Sequence, residues 1–175
     1  LSSHDRPVDI LHDGFDCVIR TGALPEDGVI ARPLGKLTMV NCASPHYLTR
    51  FGYPQSPDDL TSHAIVRYTP HLGVHPLGFE VASVNGVQWF KSGGMLTVNS
   101  SENYLAAGIA GLGIIQIPRI AVREALRAGR LIEVLPGYRA EPLSLSLVYP
   151  QRRELSRRVN LFMQWLAGVM KEHLD

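Results

Sequence analysis

The sequence predicts an α/β protein of two lobes, and three observations carry that expectation. Short apolar runs alternate with capped, amphipathic segments along most of the chain, which is the pattern of strands and helices around a mainly parallel sheet. Two β-favouring runs flank Asn85-Gly86 in the middle third and add one or two antiparallel excursions. Two long apolar segments, 37–43 and 143–149, have the length and placement of strands that cross between lobes and leave a cleft between them.

Leu1 to Ser3 read as the tail of a strand. Arg6-Pro7 then opens a short helix, VDILHD, ended by Gly14, and Phe15-Asp16 lead into a buried strand at Cys17 to Arg20. This order is the second half of an α/β repeat, so the chain reads as a fragment that lacks the repeat's first strand and helix. After Thr21-Gly22 comes a loop rich in Pro, Glu, Asp and Gly, followed by a strand at Val29 to Leu34 and the apolar segment Leu37 to Ala43. Ser44-Pro45 is an N-cap with proline at the first helical position, and Gly52 ends that helix. Ser56-Pro57-Asp58-Asp59 repeats the device, with two acids where the positive end of a helix dipole favours them. Ala64 to Tyr68 reads as a strand, and Phe79 to Phe90 as a hairpin turning at Asn85-Gly86.

Met95 to Pro118 form a continuous strand, capped helix, glycine turn and second strand. Asn99 is placed to cap the helix, with Glu102 completing a capping box. Leu105, Ile109 and Leu112 share one face, Gly111 and Gly113 close the helix, and Ile114 to Ile117 resume as a strand. A helix follows at Ile120 to Ala128, closed by Gly129, then strands at Arg130 to Leu135 and Leu143 to Tyr149. The last helix aligns Leu155, Val159, Phe162, Leu166 and Val169 on one stripe.

Composition narrows the function. The 175 residues are 45% hydrophobic and carry a net charge of +1, with both signs scattered. A duplex DNA binder shows a basic stripe, whereas the densest cluster here is Arg152, Arg153, Arg157 and Arg158, read as the solvated start of a helix. Cys17 and Cys42 lack metal or redox spacing and read as small buried hydrophobes of a reducing compartment. No transmembrane run and no signal peptide stand out, so the expected location is the cytoplasm, with no membrane partner.

Catalytic and cofactor signals are weak. No G-x-S-x-G surrounds Ser44 or Ser101, and cap serines are far commoner than nucleophiles. His71 and His75 lie in a Pro/Gly-rich loop without the regular spacing of a metal site. Gly108, Gly111 and Gly113 end a helix, whereas a dinucleotide fingerprint needs its glycines between strand and helix. The expectation is a protein with no catalytic residues, no metal and no cofactor. What remains are polar groups at predicted strand ends: Arg20 and Thr21 after one, Ser44 after another, Asn99 and Ser100 after a third, and Gln116 and Pro118 near a fourth. Their convergence on one sheet edge would suit a small-molecule site.

The blocks DGFDCVIRTG, ARPLG, CASPHYLTRFGYPQSPDDLTSH, LTVNSSENYLAAGIAGLGIIQIP, GRLIEVLPGY and LVYPQRRELSRRVNLFMQWL follow one another from about Asp9 to Leu166. Together they resemble the effector-binding region of LysR-type transcriptional regulators. The resemblance implies a type 2 periplasmic-binding-protein-like fold, with two Rossmann-like lobes joined by two crossing strands. Lobe I would comprise 1–43 and 151–175 and be incomplete, and lobe II would comprise 44–150. It further implies a homodimeric sensor of a small, anionic or aromatic effector, with DNA bound only through a winged helix-turn-helix absent from this chain. Carried over by position, Arg20 and Thr21 border the effector cleft from lobe I. Asn99, Ser100, Ser101, Gln116, Ile117, Pro118 and Tyr68 border it from lobe II. A periplasmic solute-binding receptor of a transporter and a small serine hydrolase using Ser101 are the alternative readings.

Overall fold

A computed structural model describes residues 2–3, 5, 8–22, 28–70, 78–151, 156–172 and 174. In chain order the strands are β1 (Val18–Thr21), β2 (Val29–Leu37), β3 (Met39–Ala43), β4 (Ala64–Tyr68), β5 (Phe79–Ser83), β6 (Gly86–Phe90), β7 (Gly93–Val98), β8 (Ile115–Pro118), β9 (Ile132–Val134) and β10 (Leu143–Pro150). The helices are α1 (Pro45–Phe51), α2 (Ser101–Ile109), α3 (Arg119–Arg127) and α4 (Arg157–Lys171), with a 3-10 helix at Pro57–Ser62. The chain divides into two compact units, Leu1–Arg6 with Met39–Glu141 and Pro7–Thr38 with Pro142–Asp175, here called unit 1 and unit 2. The expected boundaries after Ala43 and Pro150 differ from these by one strand each, because β3 pairs inside unit 1 and β10 inside unit 2, and Leu1–Arg6, expected with lobe I, group with unit 1.

Unit 2 is a three-stranded antiparallel sheet in the order β1-β10-β2. The central strand β10 buries Leu145 to Val148 without alternation, as a strand covered on both faces does. β2 takes in residues 29–37 rather than stopping at Leu34, and its pairing slips between Leu145 and Ser146, where Gly35 and Pro33 are the successive partners. Pro33 lacks an N–H, and an edge strand with a bulge is where a sheet tolerates it. The expected helix at VDILHD is a single turn: Asp13 N–H donates to Asp9 O at 2.8 Å, and the Asp9 carboxylate accepts from the N–H groups of Leu11 and His12. Its predicted start at Arg6-Pro7 lies outside the described residues. The strand at Val18 to Thr21 is half-exposed rather than buried, with Ile19 47% exposed. Ser156 caps α4, whose buried residues are Met163 and Ala167. The predicted stripe is therefore displaced, since Phe162 and Val169 are exposed, and Leu155 lies outside the described residues.

Unit 1 departs from the expected mainly parallel sheet. β3 runs antiparallel to both its neighbours in the order β8-β3-β9, β4 and β7 are parallel, and β5 and β6 form an antiparallel hairpin. A parallel bridge between Ile65 and Ile114 ties β4 to the start of β8. Gly113 makes this approach possible, because a Cβ there would lie 2.6 Å from Ala64 O. The hairpin turns one residue earlier than predicted, through Val84-Asn85, and Gly86 opens β6 with φ +105°. Ser83 pairs with Gly86, so the loop is two residues long.

Side chains alternate across the strands and fill two cores. Val40, Cys42, Val66, Ile115 and Ile117 point to one face, under Tyr104 and Ala107 of α2 and Val122 and Ala125 of α3. Ala43, Ile65 and Ile114 point to the other, with Tyr47, Leu48, Leu60, Phe79 and Val81. Burial pushes the Cys42 thiol up to about 12, as befits an inert core residue; Cys17 is half-buried, and both cysteines are free. Ser44 caps α1 as predicted, accepting from Tyr47 N–H at 3.2 Å, and Asp59 caps the 3-10 helix by accepting from the N–H groups of Gln55 and Ser56.

Candidate functional site

The parallel pair decides where polar groups gather in unit 1. Tyr68 lies opposite Val98, and Thr69 N–H donates to Val98 O at 3.0 Å, so β4 and β7 end together. Since β8 is parallel to β4, Pro118 ends at the same edge. Ser44 does not: β3 is antiparallel to β8, and its end lies at the opposite edge, where Ser44 is buried as the α1 cap.

At this edge α2 begins. Ser100, not Asn99, is its cap, and its Oγ accepts from Asn103 N–H at 3.4 Å. Pairing of β7 with β4 runs through Val98, the chain bends at Asn99, and Ser100 is extended (φ −129°, ψ 131°) as the cap. The predicted Asn99–Glu102 capping box is therefore one residue out of place. The buried face of α2 is Tyr104, Ala107 and Gly108, whereas Leu105 and Ile109 pack only partly and Leu112, past the helix end, is 53% exposed. Small residues let the helix sit close to the sheet, and a Cβ on Gly108 would lie 2.6 Å from Ile115 Cδ1.

The first turn of α2 holds a carboxylate. Ser101 N–H donates to Asp5 Oδ2 at 2.7 Å, and Ser101 Oγ lies 3.1 Å from each Asp5 oxygen. Tyr68 is half-buried against Tyr104, ring centroids 5.7 Å apart. Burial, and secondarily the negative charge of Asp5, raise the Tyr68 hydroxyl above its ordinary range. The Tyr104 hydroxyl is pushed up to about 12 by burial; it accepts from Gln116 N–H at 2.8 Å and donates to Gln116 O at 3.3 Å.

The other predicted residues take different positions. The Gln116 side chain is fully engaged within unit 1: Nε2 donates to Asn41 Oδ1 at 2.9 Å and Glu80 O at 2.8 Å, and Oε1 accepts from Glu80 N–H at 3.3 Å. Asn41 in turn donates to Leu135 O and Tyr138 O, so one amide chain ties the hairpin, the sheet and the segment after β9 together. Ile117 is buried in the core, and Pro118 stands at the N-cap of α3. Arg20 and Thr21 lie in unit 2, facing Ser146 and Leu145 across the β1–β10 ladder. Sequence reasoning missed Asp5 and Asn41. A polar residue inside the apolar run 37–43 signals Asn41, whereas nothing local links Asp5 to a helix 96 residues away.

The serines at these caps are engaged as caps or on a carboxylate, not on an imidazole: Ser101 donates to Asp5, and His63, the one buried histidine among the described residues, pairs through Nδ1 with Tyr47 OH at 3.0 Å. Among the described residues no group of three or more His, Cys, Asp or Glu could hold a metal ion. His71 and His75 lie outside them. No helix among them is long and apolar enough to cross a membrane.

The model of the LysR substrate binding domain matches residues 1–171. The HTH-type transcriptional regulator YhjC of Escherichia coli (strain K12) is 98% identical over 175 residues, all of this chain and 58% of that protein. An HTH-type transcriptional repressor of Pseudomonas aeruginosa (strain UCBPP-PA14) is 35% identical over 99% of this chain and 55% of its own length. The CrgA regulatory domain of Neisseria meningitidis, a LysR-type regulator, superposes with a TM-score of 0.79 at 24% identity, over 91% of this chain and 78% of that one. The chain thus spans a little over half the length of these curated relatives. It belongs to the LysR substrate-binding domain family, with the type 2 periplasmic-binding-protein-like fold, and the curated relatives it matches are named transcription regulators.

Proposed function

We propose that this domain binds a small anionic or aromatic metabolite in the effector cleft of its family's fold. Asn99, Ser100, Ser101 and Tyr68 contact it from unit 1, Gln116, Ile117 and Pro118 frame the same edge, and Arg20 and Thr21 contribute from unit 2. The observation that supports this is the start of α2: donors of a helix N-terminus stand at the carboxyl edge of a parallel strand pair, beside an aromatic ring, where open α/β sheets take anions. The effector favours one arrangement of the domain only by binding it more tightly. In the whole, homodimeric, cytoplasmic protein that bias reaches DNA through a winged helix-turn-helix outside this chain.

A thermal-shift screen of organic acids and aromatics on the intact domain tests the effector reading. A ligand at 100 times its Kd adds about 2.7 kcal/mol of stability. The expected hit loses affinity when Asn99 and Ser100 are changed to alanine, and a hit indifferent to both removes the site.

A further inference from the structure

We infer that Asp5 is an internal competitor at this site: its carboxylate occupies the place on α2 that the carboxylate of an anionic effector takes, so the effector must displace it. The inference rests on the proposed effector reading and specifies how that site is regulated. The first N–H groups of a helix have no partner inside it. In α2 the Ser100 hydroxyl serves Asn103 N–H, and the next free donors, Ser101 N–H and Oγ–H, both go to Asp5 at 2.7 Å and 3.1 Å. Asp5 is remote in sequence, so it is no part of the helix's own cap; it is a chain-borne carboxylate seated as a ligand. A charge-assisted, two-donor grip of this kind is what a free carboxylate would need. Asp5 and Ser101 are both exposed, which leaves their contact weak enough for a ligand to replace. Tyr68 ends β4 beside Val98 and packs against Tyr104 of α2, so a ring stands at the same edge, and the occupant this edge fits is a compact organic acid.

The competition lowers the apparent affinity for any carboxylate by the fraction of molecules in which Asp5 is released. Acetate, the smallest organic carboxylate of this type, is the probe, and the Ser101 amide resonance of the full 175-residue chain is the readout. In Asp5→Ala and Asp5→Asn, acetate is expected to shift that resonance to saturation at concentrations about tenfold or more below those the wild type requires. Glu102→Gln, which removes a charge from the same turn, is expected to change the titration less than Asp5→Asn does. The unchanged spectrum elsewhere verifies that each variant folds. Equal half-saturation in wild type and both Asp5 variants, or no Ser101 shift in any of them, would overturn the inference. An effector from the thermal screen that leaves residues 99–101 unshifted, while acetate behaves as expected, would instead remove the effector-site reading and keep the competition.

Discussion

Unit 1 and unit 2 use the same kinds of element and finish them differently. Unit 1 covers both faces of its sheet, and its strands β3, β4 and β8 send alternate side chains into two separate cores. In unit 2, α4 buries Met163 and Ala167 but leaves Leu161, Phe162, Trp165 and Val169 exposed. The lesson is that an amphipathic pattern reports that a helix exists, while the buried face depends on which neighbours are present. The candidate effector edge belongs to the well-packed unit, where rigid elements hold Tyr68 and the start of α2 in place.

The sharpest way to break this contrast is to hollow out unit 1. Ile115 is fully buried against Gly108, so Ile115→Ala should cost about 2–5 kcal/mol, read as a lowered urea midpoint. Trp165→Ser in unit 2 should cost less, about 1 kcal/mol or below, because the side chain is 61% exposed and its ring contact is with Phe162, itself exposed. If both variants lose the same stability, the two units are not packed as described.

A smaller loss is expected at the amide chain of unit 1. Gln116→Leu leaves Asn41 Oδ1 and the Glu80 peptide group without their partner, at about 1–3 kcal/mol. Because the same change detaches the hairpin, hydrogen exchange should rise in β5 and β6 before it rises in α2. Uniform exchange would contradict the structural role given to Gln116.

Acidification tests the core side of unit 1. Burial holds the His63 imidazole below its ordinary value, with Asp59 opposing the shift. The folded state therefore binds fewer protons than the unfolded chain between the depressed folded value and about 6.5, the unfolded one. Stability should fall as pH drops through that window and be fully retained above it. His63→Gln should flatten this part of the profile, and a slope unchanged by the substitution would remove His63 as its source. The smallest effect is expected at Ser92, whose hydroxyl is buried without a hydrogen-bond partner: Ser92→Ala should be neutral or stabilising by up to about 1 kcal/mol.

Much of the fold was legible because its signals are local. Ser44-Pro45 capped the helix it predicted, and β4 runs over the predicted Ala64–Tyr68. The errors arose where distant partners decide. Pairing with β4 carries β7 far enough to move the α2 cap from Asn99 to Ser100. The antiparallel setting of β3 sends Ser44 to the far edge, and the neighbours of α4 select Met163 and Ala167 over Phe162 and Val169. The candidate site was readable as a polar cluster after β7, since caps and strand ends leave local marks. Its occupant, Asp5, was not, because a contact between residues 5 and 101 leaves no periodicity or motif to find.

The central claim is that the start of α2 in unit 1 receives the effector. Its most direct test is a calorimetric titration of the strongest organic-acid hit into the wild type and into the Asn99→Ala, Ser100→Ala double variant. The account predicts at least about a tenfold weaker Kd for the variant, a difference of 1.4 kcal/mol. An unchanged Kd in a variant of normal stability would contradict it.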